Sequence, residues 1–261
     1  MPLLSPEINV LEKICDKVSK VIIRDFGEIE KLQVSKKGPG DFVTKTDKKV
    51  EKIIIEELEK ARPKYGFIAE ETGEKKNESE FNWIIDPIDG TSNFMHGIPH
   101  FAVSIALEKN GEIISGIICD PIKNETFYAE KGRGAYLNNR RIRVSSRKKL
   151  DEVIGLYGCP PMLKVSGNKF FDQIKKASTT IHKLRNYGSA ALDFAYVASG
   201  RADFAWYDHL NYWDYAAGKI ILIEAGGTIT DFSGKTFIKQ KETFISNSSI
   251  HDGVLKILFQ N

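Results

Sequence analysis

Cysteine is scarce in this 261-residue chain: the three present, Cys15, Cys119 and Cys159, are odd in number and form no C-x-x-C pair. That excludes a disulfide framework or a zinc knuckle and fits a reducing compartment, where the cysteines serve as packing residues. Long apolar runs are missing too. None reaches the roughly 18 residues needed to span a bilayer, and MPLLSPEINVLEKICDKVSK has no basic segment followed by an apolar signal core. The expectation is a cytoplasmic protein with no membrane partner. Nor does one sign of charge dominate: 38 basic residues face 35 acidic ones, a net +3 that does not call for a polyanionic partner. No Ser/Gly/Pro-rich linker, internal repeat or low-complexity segment divides the chain. What is present, 41% hydrophobic residues, suffices for a substantial core.

Residues 8–26 place Ile8, Leu11, Ile14, Cys15, Val18 and Ile22 on one face, with Gly27 as a stop, which predicts an amphipathic opening helix. After the turn-rich SKKGPGD, the segment FVTKTDKKVEKIIIEELEKARP predicts a helix capped by Thr46 or Asp47 and ended by Pro63 and Gly66. Apolar GFIAE and NWIIDP follow. From His100 to Gly132, short apolar runs separated by NG, DP and KG predict an antiparallel meander. Beyond about residue 151, the strands VIGLY and IHKLR alternate with helices near 168–177 and through SAALDFAYVASG and WDYAAGKIILIEAGG. The expectation is a layered α/β structure: an α+β subdomain over 1–150 carrying most of the site, and an α/β subdomain over 151–261 completing it, packed as one unit.

The segment WIIDPIDGTSNF, residues 83–94, opens as an apolar run and then delivers Asp86, Asp89, Gly90 and Thr91. Asp, Pro and Gly form turns, so alone it also reads as a plain strand-to-turn junction. Its chemical reading is a strand end that aims two carboxylates, with the Ile88 carbonyl between them, at a divalent cation. Hard cations such as Mg²⁺ prefer carboxylate, carbonyl and water oxygens and commonly share substrate phosphate. Gly90 lets backbone approach a ligand, and TSNF begins a helix whose free N–H groups suit an anion. FIAEET puts Glu70 and Glu71 after another apolar strand, NYWDYAAG puts Asp214 at the start of an apolar helix, and TKTD puts Asp47 near a helix N-terminus. Each alone is explained as a strand end or a cap. Four carboxylate segments at the ends of apolar elements together fit a multi-metal hydrolytic centre.

In this order, GDFVTKTD, FIAEET, WIIDPIDGTSNFMHGIPHFAVSIAL, YGSAALDFAYVASGRADF and WDYAAGKIILIEAGG resemble the inositol monophosphatase family, and most of all its bacterial suppressor-type members. The likeness covers essentially the whole chain. It implies an αβαβα sandwich of the inositol monophosphatase and fructose-1,6-bisphosphatase type, commonly a homodimer, and a Mg²⁺-dependent, commonly lithium-sensitive phosphatase with two or three ions per site. The metal ligands it implies are Glu70, Asp86, the Ile88 carbonyl, Asp89 and Asp214, with Asp86 bridging two ions and a third held loosely near Glu70. Paired cations would clamp the attacking and leaving oxygens of an in-line displacement.

The same resemblance makes Thr91 and Asp47 the pair that orients the attacking water and relays its proton, counts Glu70 with them as catalytic, and gives phosphate to the Gly90 and Thr91 amides. Lys36 falls where the family has a loop lysine near the metals. Substrate contacts fall on Asp89, Gly188, Ser189, Ala190, Tyr207 and Asp208. Tyr207 stands seven positions before Asp214, where members acting on inositol phosphates commonly carry Glu. A phenol lacks a carboxylate's paired acceptors, so either Asp208 substitutes or the preferred alcohol differs.

The expected reaction is hydrolysis of a small sugar or polyol phosphate, inositol 1-phosphate first. Fructose 1,6-bisphosphate and a nucleotide 3'-phosphate are alternative substrates for the same metal core. A regulatory role, binding transcription machinery or RNA, is the alternative from another class; its feature is RGAYLNNRRIRVSSRKK, residues 133–149, with seven basic residues including Arg140, Arg141 and Arg143. A zinc pair at His96 and His100 is opposed by Gly97 and Pro99, which break the helix it needs. Ser189 lies outside any G-x-S-x-G context.

Overall fold

Ser5 starts the first helix, α1 (Pro6–Phe26): its hydroxyl accepts from the Ile8 N–H at 3.2 Å, and Pro6 follows where no donor is needed. The buried face is the expected one, Ile8 through Ile22, and Gly27 ends the helix. In this computed structural model the described residues are 5–28, 34–38, 41–75, 77–158, 167–236 and 242–260, the side chains of 34–38, 41–43 and 167–168 excepted. A hairpin of β1 (Val34–Gly38) and β2 (Asp41–Thr44) leads to α2 (Lys45–Ala61).

The cap of α2 is Thr44, not Thr46 or Asp47. Thr44 alone keeps extended backbone, φ −102° and ψ 166°, and its hydroxyl accepts from the Thr46 and Asp47 amides. Asp47, already inside the helix, returns the bond by accepting from the Thr44 N–H at 3.0 Å.

An eight-stranded sheet follows. β3 (Gly66–Ala69) runs parallel to β5 (Phe81–Asp89), and β4 (Gly73–Lys75) pairs antiparallel outside β3. On the other side of β5, the meander β6 (Ala102–Lys109), β7 (Glu112–Asp120), β8 (Glu125–Glu130), β9 (Gly134–Leu137) and β10 (Arg140–Ile142) is antiparallel throughout. The NG signal is the β6–β7 turn, with Asn110 and Gly111 both at positive φ. Both faces of the sheet are covered: Trp83, Ile85, Val103 and Ile105 meet α1 and α2, while Ile84, Ala102 and Ala106 face the other way. That double burial is why these strands read as unbroken apolar runs.

The covering elements on the second face are α5 (Ala190–Ala198) and α6 (Tyr212–Glu224), which touch so closely that a Cβ at Gly218 would lie 2.5 Å from that of Phe194. Behind them stands a five-stranded sheet, which is mixed. β11 (Ile154–Tyr157) is parallel to β12 (Lys183–Arg185) and β13 (Phe204–Tyr207), whereas β15 (Thr243–Asn247) is antiparallel to β13 and to β14 (Gly227–Thr230). α4 (Gly167–Thr180) and α7 (His251–Phe259) close the outside. The layers are therefore α1/α2, sheet, α5/α6, sheet, α4/α7, the expected αβαβα order. Among the described residues no helix is long and apolar enough to cross a membrane.

Candidate active site

Asp86 and Asp89 are three positions apart, which on a regular strand sends them to opposite faces. The β5–β6 ladder resolves this. It is regular as far as Asp86↔Ser104 and resumes at Asp89↔Ala102, so three steps along β5 match two along β6. The extra residue is a bulge, and Pro87, with no N–H to give the ladder, sits within it. The Ile88 N–H turns back onto Asp86 Oδ1 at 3.0 Å. Asp86, 2% exposed, ends up within electrostatic reach of Glu70, Asp89 and Asp214.

The other acids arrive on neighbouring elements. Glu70 follows β3, its N–H extending the pairing to the Ile85 carbonyl at 3.2 Å. Asp214 lies in the first turn of α6, where it accepts from the Asn211 N–H at 2.6 Å. Burial pushes the Asp86 carboxyl well above its ordinary range, and the negative charges of Glu70, Asp89 and Asp214 push it further. Asp89 is pushed up to about 6, burial outweighing hydrogen bonds from the Ser189 hydroxyl, the Ala191 N–H at 2.8 Å and the Ala190 N–H at 3.3 Å. Those donors are the first turn of α5, which favours a negative charge, and Ser189 also caps that helix by accepting from the Leu192 N–H at 3.3 Å.

Beside the acids, Thr91 Oγ1 is 3.0 Å from Asp47 Oδ1 and 2.9 Å from the Ile88 carbonyl. A hydroxyl has one proton to give, so its lone pairs remain available to a third group. Asp47 is 1% exposed and accepts also from the Thr44 N–H and hydroxyl; burial raises its pKa against these bonds. Gly90, at φ 94°, makes the turn between Asp89 and α3 (Thr91–Met95), where a Cβ would crowd the Gly188 and His100 carbonyls at 3.2 Å.

The donor set tests well against a hard cation. It is all oxygen, and the negative charges of Glu70, Asp89 and Asp214 around the buried Asp86 are a repulsion that a divalent cation would relieve. Among the described residues no three acidic, His or Cys side chains close on one point as a cage, so any ion here would complete its shell with oxygens from outside the protein.

A cavity of about 300 Å³ opens beside these groups, lined by Asp89, Thr91, Ser189, Tyr207, Asp208 and Asp214, with Gly90, Gly188 and Ala190 also at its edge. Tyr207 contributes no free hydroxyl. It is 4% exposed and donates to Asp193 Oδ2 at 2.6 Å. Ser189 likewise spends its hydroxyl on Asp89. Asp193 Oδ1 and Asp208 Oδ2 are buried without a hydrogen-bond partner.

Asp193 was missed by sequence reasoning, although a lone acid in the apolar SAALDFAYVASG was a usable signal. Glu51 was missed as well: 0% exposed, it takes the Glu71 and Thr72 amides, and it marks an acid inside the apolar stripe Val50, Ile54, Leu58. The Lys36 side chain and Cys159 lie outside the described residues; Cys15 and Cys119 are buried. His96 and His100 keep separate company, His96 Nδ1 with the Ser92 carbonyl at 2.7 Å and His100 against the Tyr187 and Tyr196 rings. Of the basic stretch, Arg133 pairs with Glu130 and Arg147 with Asp203. Arg140 and Arg141 are exposed on β10, the sheet's edge strand, where charge discourages edge pairing.

The sequence pattern of the inositol monophosphatase family matches residues 3–260. An inositol-1-monophosphatase of Mesorhizobium japonicum is 45% identical over 252 residues, 95% of this chain and 94% of its own length. The fructose-1,6-bisphosphatase/inositol-1-monophosphatase of Thermotoga maritima is 42% identical over 94% of this chain and 93% of its own. The crystal structure of extragenic suppressor protein suhB from Bartonella henselae superimposes with a TM-score of 0.94 at 44% identity, covering 97% of this chain and 98% of that one.

Proposed function

The chain belongs to the inositol monophosphatase family of metal-dependent phosphatases, and on that premise we propose that it is a Mg²⁺-dependent phosphomonoesterase acting on small polyol or sugar phosphates, inositol 1-phosphate first. The observation that carries this reading is the meeting of Asp86, Asp89, Glu70 and Asp214 beside the Thr91–Asp47 pair. Glu70, Asp86, the Ile88 carbonyl, Asp89 and Asp214 would hold two or three Mg²⁺ ions. Bound divalent cations supply electrophilic stabilisation of phosphoryl oxygens and make water more acidic.

The chain's own residues do the rest. Thr91 Oγ1, donating to Asp47, turns a lone pair toward the cavity and accepts from the attacking water. As that water bonds to phosphorus and the ester P–O bond breaks, its proton passes to Thr91 while the Thr91 proton passes to Asp47, and the departing alkoxide takes a proton from solvent water. The Asp47 pKa, raised by burial, suits a proton acceptor better than an exposed aspartate does. The Gly90 and Thr91 amides hold phosphate oxygens. The departing alcohol faces Tyr207 and Asp208.

With the Tyr207 hydroxyl committed to Asp193, Asp208 is the acceptor this wall offers to sugar hydroxyls, and Gly188, Ser189 and Ala190 shape its other side. One acceptor selects weakly among alcohols. That favours fructose 1,6-bisphosphate as a second substrate, as the double name of the Thermotoga maritima relative also does. On the same reading residues 1–150 and 151–261 act as one unit, and the protein is a cytoplasmic, lithium-sensitive homodimer. Phosphate release from inositol 1-phosphate, fructose 1,6-bisphosphate and simple polyol phosphates, with Mg²⁺ and with EDTA, is the test. Turnover that needs Mg²⁺ is expected; turnover unchanged in EDTA, or none on any ester, overturns the reading.

A further inference from the structure

α2 carries two buried acids one turn apart, Asp47 and Glu51, on a face otherwise made of Thr46, Val50, Ile54 and Leu58. Asp47 belongs to the site described above. Glu51 reaches no part of the cavity: Oε2 accepts from the Glu71 N–H and Oε1 from the Thr72 N–H, both at 2.8 Å. A fully buried carboxylate is costly unless its oxygens are satisfied. Here both are satisfied by consecutive amides of a single turn, the one that directly follows Glu70. On its other side Glu70 is tied by its own N–H to the Ile85 carbonyl of β5, one residue before Asp86. Residue 70 is thus suspended between the strand that carries Asp86 and the helix that carries Asp47.

We propose that Glu51 is a positioning residue for Glu70, its carboxylate fixing the turn that aims the Glu70 side chain at Asp86. This rests on the reading that Glu70 helps to hold a divalent cation. Two parallel N–H donors need two acceptors at a set separation, which a carboxylate provides and an amide does not. Glutamine at 51 has the same size and shape, yet its NH₂ group would face one of the backbone N–H groups, donor against donor. Aspartate keeps both acceptors but falls short by one methylene. Because one helix carries Asp47 and Glu51, a small displacement of α2 would disturb the proton relay and the cation ligand together.

The test is calorimetric titration of Mg²⁺ into the full-length protein and into Glu51→Gln, Glu51→Asp and Glu70→Gln, with thermal melts in EDTA and steady-state kinetics at varied Mg²⁺. Glu51→Gln is expected to weaken Mg²⁺ binding by about tenfold to a hundredfold, the range for groups that orient metal ligands. It should raise the KM for Mg²⁺ more than it lowers kcat at saturating Mg²⁺, and Glu51→Asp should recover part of the affinity. Parent-like Mg²⁺ binding by a folded Glu51→Gln protein, while Glu70→Gln loses it, overturns the positioning role. Parent-like binding by Glu70→Gln instead overturns the cation reading of Glu70, and the proposal with it. Should Glu51→Gln not fold, Glu51→Asp decides: weakened binding supports the role and unchanged binding overturns it.

Discussion

On the side of the cavity nearest Asp89, Asp47 and Asp89 are held by donors from other elements; on the side nearest Tyr207, one oxygen of Asp193 and one of Asp208 are buried with no hydrogen-bond partner. Asp47 accepts from Thr44 and Thr91, and Asp89 from Ser189, Ala190 and Ala191, while outside the cavity Glu51 accepts from Glu71 and Thr72. Across the cavity, Asp193 Oδ1 and Asp208 Oδ2 have no hydrogen-bond partner, although burying a polar group unpaired costs on the order of 1–3 kcal/mol. The contrast fits a division of labour. The groups proposed to act on phosphate are oriented before substrate arrives, which is where preorganisation lowers a barrier most. Those on the alcohol side keep two carboxylate oxygens buried and unpaired, so that wall is held less firmly.

The sharpest way to break that contrast is Asp86→Asn. Activity should fall on the order of 10³-fold, while the metal-free variant melts above the parent because an acid among acids has been removed. Asp86 and Asp89 have folded pKa values above the unfolded one, so the native state binds extra protons. In EDTA, therefore, the parent keeps their contribution to stability below about pH 4, the unfolded pKa. It loses that contribution as pH rises through the folded values, about 6 for Asp89. Melts across pH should show this slope flattened in Asp86→Asn, and Mg²⁺ should restore the parent at neutral pH but not the variant. A parent-like rate from Asp86→Asn would sink the assignment.

Next in size, Thr91→Ala and Asp47→Asn should each lower kcat by roughly 10²–10⁴-fold with little change in KM for substrate. Because the two act as a unit, the double variant should be little worse than the poorer single one. Additive losses would separate them. The smallest effects belong to the alcohol side. Asp208→Asn should change the ratio of kcat/KM between inositol 1-phosphate and a simple polyol phosphate several-fold. Tyr207→Phe should leave that ratio within about twofold while destabilising the protein by about 1–3 kcal/mol, since it strands Asp193. If Tyr207→Phe moves selectivity more than Asp208→Asn does, the Tyr207 hydroxyl contacts substrate after all.

What could be read from the chain beforehand was whatever has a local cause. The α1 stripe, the Asn110–Gly111 turn and the apolar runs of β5 and β6 follow from periodicity and turn chemistry within a few residues. Asp47, Glu70, Asp86, Asp89, Thr91 and Asp214 stood out because polar groups interrupt apolar elements at their ends. Contacts across the chain escaped. The bulge that brings Asp86 and Asp89 to one side exists only in register with β6, and the Tyr207–Asp193 bond needs the packing of β13 on α5. The start of α2 shifted to Thr44 because backbone conformation decides which hydroxyl caps. Yet Thr44-x-x-Asp47 is itself a capping-box pattern.

The tie between Asp89 and Ser189 has a temporal side. The two residues are 100 positions apart in the chain. At synthesis rates of about 5–20 residues per second, Asp89 emerges some 5–20 s before the helix whose amides receive it. Until then β5 can pair with its neighbours, but its terminal carboxylate faces water, and Asp214 has still to be made. A chain interrupted before α5 lacks both the helices that cover one face of the first sheet and the amides that receive Asp89. On the proposed reading, the centre is therefore assembled only once the chain has been made past the start of α6.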